Sequence, residues 1–162
     1  MKRLLTLFVL LASSLFAEHS GWMVVEEVGA EVAKSQITVV RLWAPWCPNS
    51  RAEDEGDGWA GFIAANPNVQ FVFVTVRSSD DGVTYLAEHG VGEQPNLKLL
   101  HHPNAVRKGP GSIEYFMDLP ISWVPTTWVF RDGKLRYAIN YGEVRFPMLQ
   151  QMIADTASAW NH

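Results

Sequence analysis

RLWAPWCPNSRAED, residues 41–54, contains Cys47, the only cysteine in the chain, and its reading decides the fold. Just upstream, QITVVRLWA (36–44) is β-branched and apolar, the composition of a central strand covered on both faces. Downstream, the residues from Pro48 to about Ala65 read as a helix. Proline suits its first turn, where the backbone N–H has no helical partner. Cys47 is therefore expected at a strand-to-helix junction, facing unpaired N–H groups and the positive end of the helix dipole. Both favour thiolate, the nucleophilic form of the side chain. Ser50 follows three residues later, where its hydroxyl is expected to donate to the sulfur. The competing reading is a free cysteine acting as a small buried hydrophobe. The crowding of Trp43, Trp46 and Pro48 around Cys47 favours the reactive alternative.

Working outward, MVVEEVGAEVAKS places Val24, Val25, Val28 and Val32 at roughly helical spacing. VQFVFVTV (69–76) is a second buried strand, and SSDDGVTYLAEHG reads as a helix started by Ser79 or Asp80 and ended by Gly90. TTWVFRDGKLRYAINYG is two strands joined at Asp132-Gly133, a two-residue hairpin turn. FPMLQQMIADTASAW closes the chain as an amphipathic helix, with Met148, Leu149, Met152 and Ile153 on one side. Residues 91–120, rich in Pro and Gly, read as an irregular insertion. Two buried strands around a helix imply a parallel pair with a right-handed crossover, and the hairpin adds antiparallel strands. The expected fold class is α/β, a three-layer sandwich with a central mixed sheet and helices on both faces.

The chain has 162 residues and is 48% hydrophobic, enough for one domain with a substantial core. Met1-Lys2-Arg3 followed by LLTLFVLLASSLF has the shape of a signal peptide cut after Ala17, too short an apolar run to span a bilayer comfortably. The expected organisation is a signal peptide over 1–17 and one domain over 18–162, placing the protein in a periplasm or an equivalent exported space. The formal charge of −4 becomes more negative without Lys2 and Arg3, which disfavours nucleic acid and anionic membrane as partners. No stable membrane insertion is expected after signal cleavage. A single cysteine excludes an internal disulfide, so the thiol is inert, reactive or paired with another molecule.

VVRLWAPWCPNSRAE resembles the active-site segment of thioredoxin-fold proteins, in which a strand ends in Trp-Ala-x-Trp-Cys-x-x-Cys and the first cysteine opens a helix. WVPTTWVFRDGKLRYAINYGE is similar to their second signature, a cis-proline loop before the terminal hairpin. Glu53 and PTTWVFRDGK point to the exported TlpA/ResA-like branch of thiol-disulfide oxidoreductases. The departure is Cys-x-x-Ser in place of Cys-x-x-Cys.

The resemblance implies a thioredoxin-like domain with Cys47 as nucleophile. It further implies a cis bond before Pro125, packed beside the nucleophile, and a role for Glu53 in moving protons at the thiol. Val124, Thr126, Trp46 and Pro48 would form the surface on which a substrate chain docks as an added strand. Residue by residue the alternatives are an ordinary loop proline at 125 and a solvated acidic run around Glu53. Arg41 stands where many relatives carry an acid or an Asn. It either favours thiolate by charge attraction or turns its head to solvent. His101 and His102 are adjacent on an extended segment and point opposite ways, and no metal site is expected from them. No cofactor is called for.

One thiol can perform half of dithiol chemistry. Cys47 can attack a disulfide, but Ser50 cannot resolve the product, so an external thiol must. The expected partners are cysteine-containing exported proteins or small thiols, together with that external reductant. The alternative from another class is a non-catalytic binding module that keeps the docking groove. A thiol peroxidase is disfavoured, because Ala44 stands three residues before Cys47 where a Thr is usual.

Overall fold

Ile37–Trp43 forms β1, and its alternation divides the molecule. Val40 and Leu42 point into one buried cluster, Val39 and Trp43 into another on the opposite face. The computed structural model describes residues 21–34, 36–56, 58–140 and 142–158. The expected signal segment, 1–17, lies outside the described residues. Helix α1 covers 21–32. After β1 come α2 (Pro48–Ala52), α3 (Gly58–Ala65), β2 (Val69–Thr75), α4 (Val83–Glu88) and β3 (Leu97–His101). The short β4 (Tyr115–Phe116) and β5 (Leu119–Pro120) precede β6 (Thr126–Arg131), β7 (Lys134–Ile139) and α5 (Phe146–Ala157).

Five strands form the central sheet in the order β3-β2-β1-β6-β7. β1 runs parallel to β2 and antiparallel to β6, with Val40 opposite both Val72 and Trp128. This is the mixed sheet expected from the sequence. On one face Val28 and Val32 of α1 pack with Phe116 and Ile121 against Val40, Val72 and Trp128. On the other, Trp59 and Ile63 of α3, Leu86 of α4 and Leu149 and Ile153 of α5 cover Val39, Phe71 and Val129. Trp59 meets Phe62, Phe71, Phe73 and Phe146 edge-on, contacts each contributing about 0.5–1.5 kcal/mol beyond simple burial. Asp132 and Gly133 both have positive φ, 51° and 75°, as the tight β6–β7 turn requires.

Four local expectations need correction. The helix expected from Pro48 to Ala65 is two helices, because the Glu53 carboxylate is drawn into the core and the chain must turn after Ala52. Gly58 completes that turn: its φ is +25°, and a Cβ there would sit 2.5 Å from the Glu53 carbonyl oxygen. The next helix starts at Val83 rather than at Ser79 or Asp80, whose loop is held by Asp80 and Asp81 side chains accepting from the N–H groups of Gly82 and Val83. The 91–120 insertion contains β3, which extends the parallel part of the sheet, and the β4–β5 ribbon. Finally, Met148 is exposed, since α5 turns Leu149 and Ile153 inward. Among the described residues no helix is long and apolar enough to cross a membrane.

Candidate active site

Cys47 is the N-cap of α2, directly before Pro48. Its N–H donates to the Ala44 carbonyl and its own carbonyl accepts from Arg51, so the backbone is tied on both sides. The Sγ donates to the Val124 carbonyl at 3.2 Å. That carbonyl belongs to the Val124–Pro125 peptide bond, which is cis. Cys47 is only 8% exposed, yet it lines a cleft of about 440 Å³, within the size range of small-ligand sites. Because α2 has five residues, the dipole behind the sulfur is shorter than the sequence suggested.

Trp46, Cys47, Pro48 and Val124 line this cleft together. The other singled-out residues lie behind it. Ser50 is fully buried, and its Oγ accepts from the Ala44 N–H at 3.4 Å; in place of the expected donation from Ser50 to the sulfur, the Cys47 thiol donates to the Val124 carbonyl. Thr126 is buried and donates to the Trp123 carbonyl at 2.8 Å, bracing the turn before the cis bond rather than lining the cleft. Pro125 is buried at the same turn.

Glu53 and Arg41 belong to one buried cluster. Period-2 alternation places Arg41 on the same face as Val39 and Trp43, under the helices, so its head cannot reach solvent. Its Nε donates to Glu53 Oε2 at 2.9 Å and its Nη1 to Asp54 Oδ1 at 3.0 Å. Nη2 donates to the Ser50 carbonyl at 2.6 Å, fixing α2 to the sheet. The guanidinium carbon lies 4.9–5.2 Å from the Trp43, Trp59 and Phe73 ring centres. Glu53 also accepts from the Trp59 indole and from the Val144 N–H. Burial pushes the Glu53 and Asp54 carboxyls above their ordinary values, and the Arg41 charge pulls each back only in part.

Sequence reasoning did not anticipate the rest of the lining. Arg77, Arg107, Lys108 and Trp123 face the same cleft, with Glu114 the one acid among the lining residues. Arg77 has a left-handed φ of 56°, which costs roughly 1–2 kcal/mol for a residue with a Cβ. Its carbonyl accepts the Trp46 indole N–H at 2.8 Å, and its Nη2 donates to the carbonyls of Ile113 and Ile121 at 2.8 Å each. Burial draws its guanidinium below the ordinary value, against the pull of Glu114. Arg107 lies 4.9 Å over the Trp46 ring. His101 contacts the Ser78 carbonyl and His102 accepts from the Asn104 N–H, so the two rings serve different loops. Among the described residues no three His, Cys, Asp or Glu side chains converge as metal ligands.

No family model matches the sequence, and no curated protein matches it. Solved structures do. A secreted Mycobacterium tuberculosis disulfide oxidoreductase homologous to E. coli DsbE superposes with a TM-score of 0.58 at 22% identity, over 76% of this chain and 84% of that one. A DsbF homologue from Corynebacterium diphtheriae gives 0.55 at 21% identity, over 76% and 73%. StoA from Bacillus subtilis gives 0.51 at 18%, over 74% and 83%. At these identities the likeness shows the fold: this chain has a thioredoxin-like α/β fold.

Proposed function

We propose that the protein is an exported thiol-disulfide oxidoreductase of monothiol type, acting through Cys47. The observation that carries this reading is the Cys47 sulfur lining an open cleft, bonded to the carbonyl that precedes cis-Pro125, with a serine three residues on. The solved structures it resembles include proteins described as a disulfide oxidoreductase and as secreted. The thiol gives its proton to solvent, and the thiolate attacks one sulfur of a substrate disulfide. A Cys47–substrate disulfide forms while the other substrate thiolate leaves. Ser50 has no thiol with which to displace the adduct, so an external thiolate attacks its substrate sulfur, forms a disulfide with the substrate and expels Cys47 as thiolate. Trp46, Pro48 and Val124 form the docking surface. Glu53, fixed by three donors, positions α2 through Arg41.

A binding module is the second reading, favoured by the low exposure of Cys47 and its closed hydrogen bond. Mass spectrometry after exposure to excess disulfide separates the two. Thiol exchange gives one adduct per chain, stable until a thiol is added and absent in Cys47→Ala. Ser50→Cys then releases the adduct unaided. No adduct on the native chain, together with partner capture unaffected by Cys47→Ala, would overturn exchange in favour of binding.

A further inference from the structure

The cleft at Cys47 carries a charge opposite to that of the protein around it. Arg77, Arg107 and Lys108 line it against Glu114 alone, in a chain whose formal net charge is −4. Among the described residues neither Arg107 nor Lys108 makes an ion pair, whereas Lys98 is held between Glu27 and Glu31. Arg107 is placed by the Trp46 ring, and Trp46 by the Arg77 carbonyl, so the cation and the sulfur share one frame. A guanidinium held over an aromatic face keeps its N–H edge available to a carboxylate. The cleft holds about 440 Å³, room for a small molecule rather than for a folded surface.

We infer that Cys47 takes its disulfide partner from a low-molecular-weight thiol that bears a carboxylate, held by Arg107 and Lys108 while its sulfur meets Cys47. This rests on the exchange reading above. Cys47 attacks the disulfide of that thiol, bonds to the carboxylate-bearing half and expels the other half as thiolate. The cations hold the bound half without changing oxidation state.

The test measures adduct formation on Cys47 with three small disulfides: 3,3′-dithiodipropionate, bis(2-hydroxyethyl) disulfide and cystamine. Each rate is divided by that of a free reference thiol, which removes intrinsic reactivity. The acidic protein as a whole would favour cystamine. The cleft reverses this, with dithiodipropionate ahead by about tenfold at low salt, a typical size for local steering. Raising ionic strength shrinks the preference. Arg107→Gln with Lys108→Gln, at exposed positions that do not disturb the core, abolishes it. Equal normalised rates, or a preference that survives the double variant, overturn the subsite while the exchange reading stands. Failure of all three probes to modify Cys47 removes the exchange reading itself. A peptide disulfide with acidic flanking residues that outruns dithiodipropionate overturns the small-thiol assignment.

Discussion

On the sheet side of α2, Arg41 meets two carboxylates and a backbone carbonyl in a space sealed by Trp43, Trp59 and Phe73. On the cleft side of Cys47, Arg107 and Lys108 stand in solvent with no acid paired to them among the described residues. Arg41 and the Arg107–Lys108 pair lie close to the same short helix, yet only Arg41 is neutralised. The difference follows from solvation. A charge taken out of water must be met by opposite charge and hydrogen bonds, whereas one left in water retains its field for an incoming ligand. The buried set holds Cys47 in place, and the exposed set is free to choose what reaches it.

Arg41→Ala is the hardest blow to the buried side. It leaves Glu53 and Asp54 enclosed without a cation, and the expected loss is about 3–5 kcal/mol in a urea titration. The pH dependence sharpens the claim. Burial holds both carboxyls above their ordinary values, 4.5 for a glutamate, so the folded chain keeps their protons more readily than the unfolded one. Stability of this kind is full below the ordinary value and is lost as pH rises through the raised folded value. Without Arg41 the folded values rise further. The deficit of the variant is therefore smallest on the acid side and grows toward neutrality. A deficit flat in pH would show that Arg41 contributes packing alone.

Arg77, a half-buried cation of the cleft lining, gives the middle effect. Arg77→Ala removes charged donors from the Ile113 and Ile121 carbonyls while keeping an unfavourable φ. Bonds of this type contribute about 1.5–3 kcal/mol. The loss should concentrate in faster amide exchange across β4–β5, where Ile121 donates to the Glu114 carbonyl. Arg77→Gly relieves the backbone and should be the milder change by about 1–2 kcal/mol. If glycine costs as much as alanine, the left-handed backbone carries no strain.

The buried side was partly legible in the sequence and the cleft hardly at all. β1 and the β6–β7 hairpin have short-range signals, an apolar β-branched run and an Asp-Gly turn, and both form where expected. β3 was obscured because LKLLH is half-buried at a sheet edge and flanked by turn formers, so neither continuous nor alternating hydrophobicity marks it. The break between α2 and α3 had a visible sign in Gly56 and Gly58, but its cause, a carboxylate pulled toward Arg41, is a contact between distant residues. The same limit hides the cleft. Arg77 and Arg107 reach Trp46 across long stretches of chain, and local pattern does not encode such meetings.

The smallest effect is the most informative about the exposed side. Arg107→Ala with Lys108→Ala removes two exposed cations whose only described packing is that of Arg107 on Trp46. If they serve a ligand rather than the fold, the urea midpoint should stay unchanged within error, since surface changes away from caps and buried networks are nearly neutral. A clear drop would mean that the Arg107–Trp46 contact holds the 105–112 segment in place, making the cations part of the scaffold like Arg41. An unchanged midpoint with altered reactivity toward charged disulfides keeps the two sides distinct, because stability then depends on the buried charges and selectivity on the solvated ones.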